Sequence, residues 1–471
     1  DWSDLLSFTT VADNVKVFVT EGEWGEAGNW DGGMPSLTDN VVLQQNATIG
    51  SGTVATANAI NLGGKTLTIA DGGQLQTNAN VTATVQKHIT GYDAANVNTN
   101  NGYYLIANPL YSTLYSASIE SSGLLTGTYD LYNWSPSYDE PWRNYKSSSF
   151  SLYTNTGYLY ANQDDVDLSF TGTVRANNSS VSQSVNYSTT YDFGTWTLVG
   201  NPFVCDAYLV NASTEGTALP YYKMNTAGNG FTAVASGAIA PMEGVFYQAE
   251  SSGYIYLIRT APAVTTVGGG NLNISLSQVV TSRDACPDTD NAIVRFDDGQ
   301  QLGKFSFRDN AAKIYIPQDG KDYAVVNAEA QGELPVNFKA ATNGSYTLSF
   351  NNENVEFGYL HLIDNMTGAD VDLLDTPSYT FDARTTDYAS RFRLVYAAGS
   401  QTDDFAFISN GEIILNGIIG NAIVQVFDVT GRMINSVNGA NRITTNGMAA
   451  GVYVLRLING DSVKTQKIVV K

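Results

Sequence analysis

Residues 422–433 read AIVQVFDVTGRM, residues 448–457 read MAAGVYVLRL, and residues 465–471 read TQKIVVK. Each run alternates β-branched or other apolar residues with polar ones, which is typical of a strand with one buried face. Gly and Asn separate the runs and favour tight turns. We therefore predict a small antiparallel β-sandwich over residues 402–471.

Three motifs stand in a fixed order in this stretch: V-x-V-F-D-x-x-G-R, then G-x-Y-x-L-R, then K-x-x-K-I-V-V-K. Together they resemble the Ig-like C-terminal sorting domain (type A) of proteins that Bacteroidota export by type IX secretion. One feature departs from that family, because FISNGEI at residues 407–413 stands where a P-N-P often opens the domain. The alternative is an ordinary terminal Ig-like module with no sorting role.

The resemblance implies a route and a partner. Outer-membrane components of type IX secretion would bind the domain, and the protein would be extracellular or at the cell surface. No charged and apolar leader precedes Asp1, so a signal peptide is expected to have been removed already. The sorting residues implied by the motifs are Gly431, Arg432, Gly451, Tyr453, Lys467 and Lys471.

The composition predicts an all-β chain of several domains. It has 471 residues, 44 Gly and 28 Tyr, and only 15% of its residues are charged. Such a composition favours strands and turns, and the length exceeds that of a single core. We predict a short β-solenoid or sandwich over 1–90, an internally duplicated β-sandwich or barrel over 91–262, a jelly-roll or Ig-like domain over 271–398 and the Ig-like sorting domain over 402–471.

The duplication is visible in the middle of the chain. YLIANP at residues 104–109 recurs as WTLVGNP at residues 196–202, and each is followed by a Tyr-rich strand and a Gly-aromatic strand. Asn-Pro after an apolar strand initiates a turn. The segment PMEGVFY at residues 241–247 resembles segments of bacterial cell-surface proteins, and that resemblance names no reaction.

Charge and cysteine content exclude some classes of function. The net charge of −21 repels polyanions, so nucleic acid is not an expected partner. No stretch reaches the roughly 18 apolar residues that a membrane span needs. Cys205 and Cys286 are too few for a disulfide framework, and both a disulfide and free thiols remain open.

No catalytic constellation stands out, so we expect a protein that is not an enzyme and has no cofactor. The two histidines, His88 and His361, fall in different predicted domains, and no zinc or phosphate-binding motif occurs. A glycoside hydrolase with paired carboxylates is the less favoured alternative, with candidates at Asp139-Glu140 and in residues 164–167.

Two further sets of residues are candidate sites. The acidic turn with Asp284, Asp288 and Asp290 offers oxygen ligands for Ca²⁺, and a solvated acidic loop is the alternative. Aromatic loops offer faces for glycan or partner contact, whereas the alternative is that their tryptophans cap the core. The residues of this second set are Trp24, Trp30, Tyr138, Trp142 and Arg143.

These features favour a non-enzymatic secreted or cell-surface protein, acting as an adhesin-like or structural interaction module. The partners would be surface or host proteins or glycans. A glycan-binding protein that uses the exposed aromatic loops is the main alternative.

Overall fold

The computed structural model describes residues 14–92, 102–212, 216–262, 270–280, 287–398, 405–416, 422–460 and 462–471. Nearly all of its regular structure is β, as the composition predicts. The chain divides into two compact units, Asp1–Ala263 and Val264–Lys471. The boundary falls in the Gly-rich, uncharged segment at residues 263–270.

The described part of the first unit contains one six-residue helix, α1 (Ser116–Ser121), and a 3₁₀ turn at Ala27–Asn29. Its strands are β1 (Val15–Phe18), β2 (Gly22–Glu23), β3 (Trp30–Asp31), β4 (Asn40–Leu43), β5 (Ala47–Ile49), β6 (Val54–Ala57), β7 (Ala59–Asn61), β8 (Leu67–Ile69), β9 (Gln74–Thr77), β10 (Val81–Ile89), β11 (Tyr104–Ala107), β12 (Tyr129–Trp134), β13 (Trp142–Asn144), β14 (Gly157–Asn162), β15 (Val166–Val174), β16 (Val181–Val185), β17 (Trp196–Gly200), β18 (Ala207–Val210), β19 (Tyr221–Met224), β20 (Phe231–Val234), β21 (Ala238–Ile239), β22 (Gly244–Gln248) and β23 (Gly253–Ile258).

The first strands stack in parallel coils. Strand β1 pairs with β4 and β4 with β7, β5 pairs with β2 and β8, and β6 pairs with β9, all in parallel. Equivalent apolar side chains therefore stack inward, for example Ile49 on Ile69. Strand β10 then pairs along its whole length with β15 in antiparallel fashion. This ladder joins residues before and after position 90 into one hydrophobic core.

The next part contains two sheets with the same strand order. The first half, residues 104–174, forms the sheet β11-β14-β12-β13, and the second half, residues 196–258, forms the sheet β17-β22-β19-β20. In each half the Gly-aromatic strand, β14 or β22, pairs on one side with the strand that precedes the Asn-Pro turn and on the other side with the Tyr-rich strand. The sequence repeat is thus matched by a repeat of strand pairing.

The two Asn-Pro turns are built alike around fully buried asparagines. The side-chain oxygen of Asn108 accepts from Leu110 N at 2.9 Å, and that of Asn201 accepts from Phe203 N at 2.9 Å. Each amide group also donates to the carbonyl oxygen four residues further on. Asparagine is needed here because a buried turn leaves backbone groups that only a short amide can satisfy.

The halves exchange contacts about a pseudo-two-fold axis. Ile106 of the first half bridges Glu243 of the second, and Val199 of the second bridges Thr156 of the first. A Cβ on Gly200 would lie 2.5 Å from the carbonyl oxygen of Thr156 and 2.8 Å from the Cβ of Ala107. The backbones of the two halves therefore come so close at Gly200 that only glycine fits at this position.

The second unit has strands β24 (Asn271–Gln278), β25 (Thr289–Arg295), β26 (Leu302–Gly303), β27 (Lys313–Gln318), β28 (Lys321–Asn327), β29 (Gln331–Lys339), β30 (Gly344–Glu353), β31 (Phe357–Asp364), β32 (Asp370–Asp372), β33 (Ser378–Ala383), β34 (Phe392–Ala398), β35 (Ala406–Ser409), β36 (Glu412–Leu415), β37 (Ile423–Asp428), β38 (Met433–Asn438), β39 (Arg442–Thr444), β40 (Gly451–Asn459) and β41 (Ser462–Val470). Strands β24 to β34 form one eleven-stranded sheet around a common core. One buried ion pair of this sheet, Arg391 with Asp364 at 2.9 Å, lies against the ring of Phe381.

The last seven strands form two sheets, β35-β36-β39 and β38-β37-β40-β41, which enclose a separate core. The Gln466 side chain joins the sheets, since its amide nitrogen donates to Ala406 O at 2.6 Å and its oxygen accepts from Ala406 N at 2.8 Å. It thereby acts as a strand partner for the edge of β35. Residues 422–471 thus have the antiparallel strands that their alternation predicts.

Candidate functional site

The tryptophan pair of the first loop is buried. Trp24 is 1% exposed and Trp30 is 7% exposed, and their rings meet edge to face at 4.7 Å. The indole nitrogen of Trp30 donates to Trp24 O at 2.8 Å, and Phe18 packs on both rings. Protein atoms cover the rings, so the pair does not form an exposed platform for a sugar. The sequence alone does not show which residues bury this tryptophan pair.

The β12–β13 hairpin places the second aromatic group. Trp142 lies opposite Trp134, with the rings 4.8 Å apart, and is half-buried against Phe246. Tyr138 at the tip is 54% exposed, and the guanidinium of Arg143 lies 3.8 Å above its ring. The structure thus brings Tyr138 and Arg143 together at the surface, whereas Trp142 packs against Trp134 and Phe246.

The described members of the acidic turn each face a cation. Asp288 accepts from Arg308 at 2.8 Å, and Asp290 accepts from Lys304 at 2.6 Å. Asp284 lies outside the described residues, so the three-carboxylate Ca²⁺ site stays a prediction. Within the described ranges, no group of three or more His, Cys, Asp or Glu could hold a metal ion.

The remaining candidates for catalysis lie apart. His88 pairs with Asp167 at 2.8 Å on an exposed strand edge of the first unit. His361 is buried in the second unit, where it bonds Asp370 at 2.7 Å. The carboxylates of Asp139 and Glu140 are exposed on the hairpin loop.

A cleft of about 360 Å³ in the first unit was not anticipated from the sequence. It lies between the two halves, and its lining includes Lys87, Tyr103, Tyr104, Met224 and Glu243. Burial raises the pKa of the Glu243 carboxyl above its ordinary value, against the opposing effects of the Ala240 N–H and nearby lysines. A half-buried carboxylate in a cleft is a common mark of a binding site.

The sorting motif V-F-D-x-x-G-R forms a self-contained turn. One carboxylate oxygen of Asp428 accepts from Thr430 N and Arg432 N, both at 3.0 Å, and the other accepts from Arg432 Nε at 3.1 Å. Hydrogen bonds from Thr430 and Arg432 hold the pKa of Asp428 below its ordinary value. Gly431 has φ +82°, a left-handed conformation that favours glycine. The motif is therefore explained by turn formation.

The motif G-x-Y-x-L-R places one aromatic ring in the core. Tyr453 is 7% exposed, and its hydroxyl donates to Ala449 O at 2.8 Å, which ties β40 to the turn before it. Gly451 begins the same strand. Lys467 and Lys471 are exposed on or beside β41.

The sheet β38-β37-β40-β41 has an outer face with exposed apolar side chains, which we define by Met433, Val452, Val463, Lys467 and Val469. Val452 and Val469 lie opposite each other and are 42% and 58% exposed, and Val463 is 50% exposed. Exposed valines on one sheet face make this face a candidate contact surface.

Charge sets this domain apart from the rest of the chain. Residues 405–471 hold six Lys and Arg against three Asp and Glu, a net charge of +3. Because the whole chain carries −21, residues 1–404 carry −24. An acidic surface would thus attract the last domain and repel the remainder.

The domain also packs on the large sheet before it, at a surface made of two parts. Phe407 and Ile414 share an apolar cluster with Tyr359 and two neighbouring residues. Arg442 binds Asp370 and lies 3.0 Å from His361 Nδ1. Burial alone would raise the pKa of the Asp370 carboxyl, but hydrogen bonds from Arg442 and His361 hold it below its ordinary value.

No helix in the described part of the chain is long and apolar enough to cross a bilayer. A comparison of the whole chain with curated proteins finds no match. A family model described as a secretion system C-terminal sorting domain matches residues 408–471. The match covers the two sheets of the last domain, including all six sorting residues predicted from the motifs. Residues 408–471 therefore form a C-terminal sorting domain, which marks the protein for export by type IX secretion.

Proposed function

We propose that the exported protein is a non-enzymatic, adhesin-like binding protein whose first unit makes the contacts. The observation that carries this proposal is a surface rich in tyrosine. Exposed tyrosines of the first unit are 40% to 66% accessible, and they are Tyr111, Tyr115, Tyr138, Tyr153, Tyr187, Tyr191 and Tyr254. Tyrosine gives a large amphipathic contact area at low cost in side-chain entropy, which is why binding surfaces are enriched in it.

Two of these tyrosines are held in place by arginine. Arg143 lies 3.8 Å above Tyr138, and Arg175 lies 4.2 Å above Tyr111. Such stacking orients an exposed ring before a partner arrives, which lowers the ordering cost of binding. A paired-carboxylate hydrolase is less favoured, because Glu243 is the only carboxylate among the described residues of the cleft.

The experiment uses beads coated with the full chain on plates coated with mucin, fibronectin or serum albumin. We expect retention on mucin or fibronectin above that on albumin, and at least a fivefold loss with Tyr138→Ser. The matched control is Tyr388→Ser, since Tyr388 is a 49% exposed tyrosine of the second unit. Retention equal to that on albumin would contradict the proposal.

For sorting, we propose that the outer face is the surface that contacts the outer-membrane machinery. Its exposed valines and Lys467 fit a partner with an apolar centre and an acidic rim. The match to a sorting domain and the net charge of +3 in an otherwise acidic chain support this choice.

This second proposal is tested by export from a host that has type IX secretion. Deleting residues 402–471 is expected to leave the remainder folded in the periplasm. Val469→Asp is expected to reduce the surface-exposed fraction, measured by protease accessibility of intact cells, and Lys321→Glu on the large sheet serves as the charge-change control. Normal export of both the deletion and Val469→Asp would rule the surface out.

A further inference from the structure

We propose that the cleft between the two halves binds a neutral saccharide unit, with Glu243 accepting hydrogen bonds from its hydroxyl groups. The proposal rests on the extracellular binding role proposed above, but it uses a different surface from Tyr138. The cleft volume of about 360 Å³ falls in the range of small-ligand sites. The walls come from both halves, because Tyr104 and Leu105 belong to the first and Met224 and Glu243 to the second.

The repeat supplies an internal comparison for the carboxylate. Glu243 directly precedes the strand that begins at Gly244, and Thr156 has the same place before Gly157 in the first half, where it makes the reciprocal bridge. The backbone pairing therefore does not require a carboxylate at this position. A charged group that is partly removed from water costs stability, and its hydrogen bond from Ala240 N engages one carboxylate oxygen only, so the other oxygen is available to a ligand.

A comparison of the two halves also explains why the position equivalent to the cleft is filled in the first half. Tyr132 and Tyr222 occupy the same place in the two sheets, since each lies opposite the equivalent residue of the central strand. Two residues further on, Trp134 of the first half corresponds to Met224 of the second. The Trp134 ring fills its side and donates to Trp196 O at 3.1 Å, whereas the smaller Met224 lines open space.

The lining chemistry selects the class of ligand. Oε2 of Glu243 accepts from Ala240 N at 2.9 Å, and the described chain provides no hydrogen bond to the other oxygen. Lys87, whose ammonium lies 3.6 Å from Asp71, supplies a hydrogen-bond donor on the same cleft. Tyrosine rings and a thioether suit the C–H face of a sugar, and paired donors and acceptors suit its hydroxyls. An anion would also be repelled by the acidic first unit.

The test is saturation-transfer NMR on the full chain with three probes, D-galactose, D-glucose and N-acetyl-D-glucosamine, and with glycine as a zwitterionic rival. We expect transfer to at least one sugar and none to glycine. Glu243→Gln should weaken sugar binding about tenfold, the effect of losing a charge-assisted hydrogen bond. Met224→Trp should abolish it by filling the cleft as Trp134 fills its counterpart.

Tyr138→Ser separates this site from the tyrosine surface and is expected to leave sugar binding unchanged while bead adhesion falls. Folding of each variant is checked by tryptophan fluorescence. The inference is overturned if no sugar shows transfer, if only glycine does, or if folded Glu243→Gln and Met224→Trp bind sugar as the wild type does. Loss of adhesion with Tyr138→Ser alone bears on the tyrosine surface and not on the cleft.

Discussion

The first and second halves of the repeat share strand order and buried asparagines, yet they differ at two positions that line the cleft in the second half, where Glu243 corresponds to Thr156 and Met224 to Trp134. What the halves have in common is what the fold needs, namely the Asn-Pro turns and the reciprocal bridges. The fold does not require a particular residue at the two positions that differ, so these positions are available to contact a ligand. A repeated structure therefore separates structural from functional residues without any second protein.

The largest expected effect comes from the shared asparagines. Asn201 donates to three carbonyl oxygens and Asn108 to two, and both side-chain oxygens accept from the backbone. We expect Asn201→Ala to lower the free energy of unfolding by about 4 kcal/mol and Asn108→Ala by about 3 kcal/mol, since buried backbone groups lose their partners. All six tryptophans lie in the first unit, so fluorescence in a denaturant titration follows this unit selectively. A large loss for one variant and none for the other would contradict the structural equivalence of the two turns.

The axis between the halves gives the next effect. Gly200→Ala places a Cβ 2.5 Å from Thr156 O, and we expect a loss of about 2 kcal/mol by overpacking. Adding Ala107→Gly removes one of the close contacts, so a double-mutant cycle should recover part of the loss. Independent effects of the two changes would argue against a contact at the axis.

The carboxylate that differs between the halves should make stability depend on pH. The pKa of Glu243 is raised in the folded state, so the folded protein binds the proton more tightly than the unfolded chain. Its contribution to the free energy of unfolding therefore falls as pH rises from the ordinary glutamate range to the raised pKa. We expect Glu243→Gln to be more stable than wild type at pH 7, by on the order of 1 kcal/mol, and to lose this advantage near pH 4.

The reciprocal substitution sharpens this point. Thr156→Glu puts a carboxylate at the counterpart position and should destabilise the first unit at pH 7, with partial recovery in acid. The same difference in free energy of unfolding between wild type and Glu243→Gln at both pH values would contradict this pH dependence.

The smallest expected effect concerns Cys205, whose counterpart in the first half is the exposed Ser112. Cys205 is a free, fully buried thiol, and burial raises its pKa to about 12. We expect no reaction of this thiol with a disulfide reagent at pH 8 until the unit unfolds. The reaction is followed by mass spectrometry in the Cys286→Ser variant, so that only Cys205 can react. Cys286 lies outside the described residues.

Local patterns in the sequence predict some of these features and not others. Alternation over residues 422–433 predicts the strands of the sorting domain, and the two Asn-Pro segments reveal the repeat, because both signals depend on neighbouring residues. The burial of Trp24 depends on Phe18 and on coils that stack later in the chain, so the sequence leaves both a capping and a binding role open for its loop. Glu243 lies in a segment that stood out for its aromatic residues, but its cleft is made with Lys87 and Tyr103, about 140 or more residues away.

The side chain of Gln466 has a consequence for when the export signal becomes available. It is the residue that fastens strand β41 to the edge of β35, sixty positions earlier in the chain. A polypeptide that ends before this residue lacks most of β41, so the four-stranded sheet is incomplete and the link to β35 is lost. We therefore expect a chain that ends before Gln466 to be exported less well than the full chain.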